Sequence, residues 1–110
     1  MTSLTSDLTT AVCLFRSLAD ATRLAILQHL ALGEHRVVEL TEHLGLAQST
    51  ISGHVACLRD CGLVRARADG RSTFYSLAHP ELLDLLRAAE GLLEVTGASV
   101  RLCPTYGEPT

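Results

Sequence analysis

Along the first third of the chain, apolar residues return every three or four positions, the spacing of one helix face. Ala11, Val12, Phe15 and Leu18 fall on one side of a predicted helix over Leu8 to Leu18, with Asp7 placed to cap it. Asp20 caps a second predicted helix, ATRLAILQHLALG, which turns Leu24, Leu27 and Leu30 or Ala31 inward and stops at Gly33. A shorter helix follows over about Val37 to Leu44, with Val38, Leu40 or Thr41, and Leu44 as its apolar set and Gly45 as its end. The next begins near Ala47 or Gln48 and runs to Cys61, placing Ile51, Val55, Leu58 and also Cys57 at burying positions.

After Gly62 the period drops to two. Leu63 to Ala68 and Ser72 to Leu77 alternate as strands, and Asp69 with Gly70 supplies the hairpin turn. Pro80 opens a last helix, PELLDLLRAAEGLLEVTG, with Pro80 in its tolerated first turn and Glu81 near the positive end of the helix dipole. A short helix, a glycine-containing turn and a second helix make a helix-turn-helix pattern, and a hairpin directly after it is a wing. The expected fold is therefore mainly α with a β-hairpin wing, a winged helix-turn-helix. One domain is expected over residues 1–97, followed by a Pro- and Gly-containing tail over residues 98–110. Leucines at positions 82, 83, 85, 86, 92 and 93 cover more than one side of the last helix, more than a single small core needs. With the first helix, that surplus predicts a homodimer interface.

Charge changes this picture in one place. The formal net charge is −3, which does not suggest a nucleic-acid partner until it is divided along the chain. Residues 47–77 hold four Arg and two acidic residues, and both flanking segments are net acidic. The positive segment contains the second helix of the helix-turn-helix and the wing. Gln48, Ser49, Thr50, Ser52 and His54 lie near the start of that helix, where a recognition helix touches base edges. Arg67 and Arg71 on the hairpin are placed to reach phosphates, so the expected partner is double-stranded DNA.

No apolar run approaches the roughly 18 residues of a membrane span. The start, MTSLTSDLTTAVC, lacks a basic segment and is interrupted by Asp7, so it does not read as an export signal. The expectation is a cytoplasmic protein with no membrane partner. Its four cysteines, Cys13, Cys57, Cys61 and Cys103, then read as reduced thiols rather than a disulfide frame. Cys57 and Cys61 are four residues apart on one helix face, near enough to share a soft metal ion or to pack as small hydrophobes. Cys13 reads as packing in an apolar helix. His29, His35 and His43 have no second ligand at a useful spacing and read as solvated.

The phrases LADATRLAILQHL, LGLAQSTISGHVACLRDCGLV and GRSTFYSLA, in that order, resemble the core of the ArsR/SmtB family of dimeric winged-helix repressors over about residues 14–95. The resemblance implies a cytoplasmic homodimer that holds palindromic operator DNA without metal and releases it when metal binds. Two metal sites known in that family are absent here. Arg36 and Val38 stand where a Cys-x-Cys pair would be, and Leu86 follows Asp84 where a histidine would be. The stretch with Cys57, Arg59, Cys61 and Gly62 resembles cadmium and lead sensors of the CmtR type. It implies Cys57 and Cys61 as ligands, with Cys103 from the tail of the other subunit as the third. One departure is Gly53 with His54, where many members have two histidines. A mid-helix glycine costs up to about 1 kcal/mol and removes a base contact at that position.

Three thiolates suit thiophilic ions, so Cd(II) or Pb(II) is the expected inducer. Zn(II), which prefers four ligands in a closed site, and As(III) rank after them. Binding displaces thiol protons and should weaken as pH falls. The alternative signals on the same fold are thiol oxidation and arsenite. An enzyme with a cysteine nucleophile is not expected, because no cysteine has a nearby base and there is no Cys-x-x-Cys pair.

Overall fold

A computed structural model describes residues 3–103, in the order α1 (Ser3–Leu18), α2 (Ala21–Ala31), α3 (Val37–Leu44), α4 (Gln48–Asp60), β1 (Val64–Asp69), β2 (Ser72–Leu77) and α5 (Glu81–Val95). The winged helix-turn-helix is present as expected. α1 starts at Ser3, so Asp7 lies inside the helix instead of capping it. Pro80 is the cap residue of α5 rather than part of its first turn. Asp69 pairs with Ser72 across the antiparallel hairpin, which leaves Gly70 and Arg71 as the two-residue tip, with Gly70 at φ 62°.

The core forms where α2, α3 and α4 meet β1 and α5. Ile26 and Leu27 of α2, Leu40 of α3, and Ile51 and Leu58 of α4 are all at 0% exposure. Ile26 takes the innermost place expected for Leu24, and Val38 is exposed while Leu40 carries the packing of α3. The entry to α2 is fixed by Asp20, whose Oδ1 accepts from the Arg23 N–H at 3.0 Å. That bond is the main cause holding the Asp20 carboxyl below its ordinary range.

α4 ends in a way that aims Cys61. Gly62 turns left-handed at φ 78°, its N–H donates to the Arg59 carbonyl at 2.9 Å, and the Leu63 N–H reaches back to the Leu58 carbonyl at 3.0 Å. This paired closure satisfies the last helical carbonyls and lets Leu63 pack beside Leu58. The wing is tied to the helices by His35 and Tyr75, whose main chains exchange hydrogen bonds of 3.0 and 2.8 Å.

Leu8, Val12 and Phe15 of α1, and Leu92 and Val95 of α5, are exposed in the single chain. Of the α5 leucines expected to leave a surplus, Leu82, Leu83, Leu85 and Leu86 lie in or against the core, and Leu92 is exposed. No described helix is long and apolar enough to cross a membrane.

Candidate functional site

Burial divides α4 into two faces. Ile51, Val55 and Leu58 are buried, and Gln48, Ser49, Thr50 and Ser52 are exposed at the start of the helix. Their polar groups are open to a partner because the helix spends its apolar residues on the core. His54 departs from this group. It is half-buried, and Arg23 donates to its Nδ1 at 3.2 Å while Asp20 lies 4.0 Å away. The same Arg23 guanidinium donates to the carbonyls of Ser17 at 2.7 Å and Arg16 at 2.9 Å. His54 thus joins α4 to the corner between α1 and α2.

On the wing, Arg67 is engaged from two sides. Its Nε and Nη2 each donate to the Glu34 carboxylate at 2.9 Å, and its guanidinium lies 5.0 Å from the Phe74 ring centre. This pairing holds the Glu34 carboxyl below its usual range and pushes Arg67 up. Arg71 sits exposed at the hairpin tip.

The thiols are arranged differently from expectation. Cys13 of α1 and Cys61 at the end of α4 form a disulfide, with Cα atoms 6.5 Å apart. This corrects two expectations: Cys13 is exposed rather than packed in the core, and not all the thiols are free. The pairing arises because α1 and the α4 terminus lie side by side although the two cysteines are 48 residues apart. Ser17, one helical turn after Cys13 and only 1% exposed, lies between the sulfurs. Its Oγ donates to Cys61 Sγ at 3.0 Å and lies 3.9 Å from Cys57 Sγ. Two sulfurs therefore flank one hydroxyl, and the third, of Cys13, is bonded to one of them.

Cys103 is held elsewhere in its own chain. It is buried, with Sγ 3.6 Å from the Leu83 carbonyl of α5. The backbone N–H groups of Leu102 and Cys103 both donate to Glu90, the latter at 2.7 Å. Burial first, then the charge of Glu90, pushes the Cys103 thiol up. The tail beyond Cys103 lies outside the described residues.

A second correction concerns His29, His35 and His43. Their ligand nitrogens all lie within 4.8 Å of one another, so they are a cluster rather than three separately solvated rings. His29 and His43 stack with centres 4.8 Å apart, and His35 stands edge-on to both. Burial, then the neighbouring His43 and His35, hold the His29 ring below its ordinary value. The signal available in the sequence was positional: two of the three stand in the last turns of successive helices, and the third is in the link between them.

Residues 20–66 match the family model described as bacterial regulatory protein, arsR family. A probable mercury resistance operon repressor of Streptomyces lividans is 42% identical over 97 residues, which span 86% of this chain and 78% of that one. The chain belongs to the arsR family. This ArsR-family chain is also 48% identical over 67 residues to the HTH-type transcriptional regulator CmtR of Mycobacterium bovis, a match covering 61% of this chain and 57% of that regulator. Among solved structures, the homodimeric winged helix-turn-helix DNA-binding domain of a possible ArsR-family regulator from Mycobacterium bovis superposes with a TM-score of 0.76 at 28% identity, covering 82% of this chain and 83% of that one. HlyU from Vibrio cholerae gives a TM-score of 0.69 at 36% identity, covering 78% and 94%. The chain is thus a DNA-binding transcriptional regulator and not an enzyme.

Proposed function

We propose that this chain is a homodimeric repressor that holds operator DNA and lets go when a thiophilic ion binds Cys57 and Cys61. The observation that supports this reading is the approach of Cys57 and Cys61 to the Ser17 hydroxyl, with Cys13 beside Cys61, at the far end of the helix that presents Gln48, Ser49, Thr50 and Ser52. An ion bound there pulls on the reading helix itself. The exposed apolar faces of α1 and α5 supply the dimer contact. Soft sulfur ligands favour Cd(II), Pb(II) or Hg(II), the last being the metal in the name of the Streptomyces lividans relative.

The third sulfur has two sources. The family resemblance points to Cys103 of the partner subunit; the geometry within one chain favours Cys13. A Cd(II) titration of the reduced protein, read by thiolate-to-metal absorption and by fluorescence anisotropy of labelled DNA, separates them. Cys57→Ser and Cys61→Ser should bind DNA and fail to release it. Whichever of Cys13→Ser and Cys103→Ser loses absorption identifies the third ligand. If Cd(II) still releases DNA from both the Cys57 and Cys61 variants, the reading fails.

A second reading, oxidative sensing, is favoured by the Cys13–Cys61 bond. Forming it removes two electrons and two protons, which a two-electron oxidant such as a peroxide accepts. DNA affinity that changes on oxidation, returns with a reducing thiol and is insensitive to both in Cys13→Ser would support it.

A further inference from the structure

We infer that His29, His35 and His43 form a second metal site, separate from the thiols, for a borderline divalent ion such as Zn(II) or Ni(II). The three rings come from the last turn of α2, the α2–α3 link and the last turn of α3, and their ligand nitrogens lie within 4.8 Å of one another. Imidazole nitrogen suits first-row ions of this class, whereas Cd(II) and Pb(II) are drawn to sulfur. Three histidines plus water make an open tetrahedral site for zinc.

One ring is already set for the task. His35 Nδ1 lies 2.9 Å from the Gly33 carbonyl, which can only accept, so Nδ1 carries the proton and Nε2 keeps a free lone pair. A backbone carbonyl fixing the second nitrogen of a ligating histidine is the usual support of a metal-bound imidazole. Its main chain is held in turn by the double hydrogen bond to Tyr75. The negative ends of α2 and α3 both face this corner and favour a cation. Zn–N bonds of about 2.0–2.1 Å place tetrahedral nitrogens roughly 3.3 Å apart. Binding would require His29 and His43, now stacked, to turn toward the ion about χ1 and the broad χ2 while His35 keeps its bond to Gly33.

The site would link three parts that bear on DNA: α3 is the first helix of the helix-turn-helix, α2 lies in the core, and His35 is bonded to wing strand β2. An ion there acts on the wing and α3, whereas one at the thiols acts on α4.

The test is a Zn(II) titration of the full-length reduced protein against a chromophoric chelator. The Cys57→Ser/Cys61→Ser double variant should retain one zinc equivalent per chain. His43→Ala, made at an exposed position, and His35→Ala should each weaken that equivalent at least tenfold. Co(II) at this site should show visible d–d bands without thiolate charge-transfer absorption. Equal zinc affinity with and without the histidine substitutions in the Cys57→Ser/Cys61→Ser background overturns the inference. An independent check uses the unaltered chain: Zn(II) should shift the imidazole NMR signals of His29, His35 and His43, and shifts confined to His54 and His79 overturn it as well.

Discussion

Arg67 closes two guanidinium nitrogens on the Glu34 carboxylate at 2.9 Å, so a wing charge expected to meet phosphate is already engaged inside the chain. Among the described residues, Arg71 at the exposed hairpin tip forms no ion pair. Arg71→Ala should therefore weaken DNA binding across sequences and reduce the slope of log affinity against log salt by about 1. Glu34→Gln should tighten binding by releasing Arg67. Anisotropy titrations at several salt concentrations check both, and unchanged affinity in Glu34→Gln would show that Arg67 does not reach DNA.

Gly53 sits in the middle of α4 on its exposed side, and a Cβ added there meets nothing within 4 Å. Gly53→Ala should stabilise the protein by roughly 0.5–1 kcal/mol through helix propensity. Urea denaturation reads this directly. The added methyl projects from the exposed face that also carries Ser49, so DNA affinity should change independently of stability.

The acid side of the stability profile follows from three carboxyls. Glu34 is held below its ordinary 4.5 by Arg67, Glu39 below 4.5 by the Arg36 N–H, and Asp20 below 3.8 by the Arg23 N–H. In each case the unfolded chain binds the proton more readily. The contribution is complete above about pH 4.5 and declines as pH falls through the lower folded values. All three lie at the surface, so the decline should be shallow and reduced by salt. Denaturation curves between pH 6 and pH 3 should show it, with a smaller slope in Glu34→Gln.

The bond between Cys13 and Cys61 spans 48 residues. Closing a loop of that length stabilises by about 2–4 kcal/mol in the chain-entropy account. The oxidised protein should unfold at higher denaturant than the reduced one. In Cys13→Ser the two conditions should give superimposable curves.

Regular periodicity made most of the fold legible. Ile51, Val55 and Leu58 marked α4, Gly45 and Gly62 marked its flanks, and alternation marked both strands. What could not be read were meetings between distant parts. Nothing local tells that Cys13 will lie against a helix end 48 residues on. The three histidines converge only because α2 and α3 end at the same corner. His54 and Arg67 had the right residue type and place for DNA, but their partners Arg23 and Glu34 come from elsewhere in the chain. The core centre was not legible for a related reason: Leu24 packs against the core as read, but only the docking of α2 against its neighbours makes Ile26 the residue fully enclosed.

Glu90 receives two successive main-chain N–H groups, from Leu102 and Cys103, and the Gln28 side chain holds the neighbouring Arg101 carbonyl at 3.1 Å. Those bonds fasten the end of the described chain to its own subunit. If Cys103 supplies the third ligand, as proposed above, drawing its sulfur away from the Leu83 carbonyl would compete with these bonds. In that case loosening them, as in Glu90→Gln, should let the repressor respond to scarcer metal.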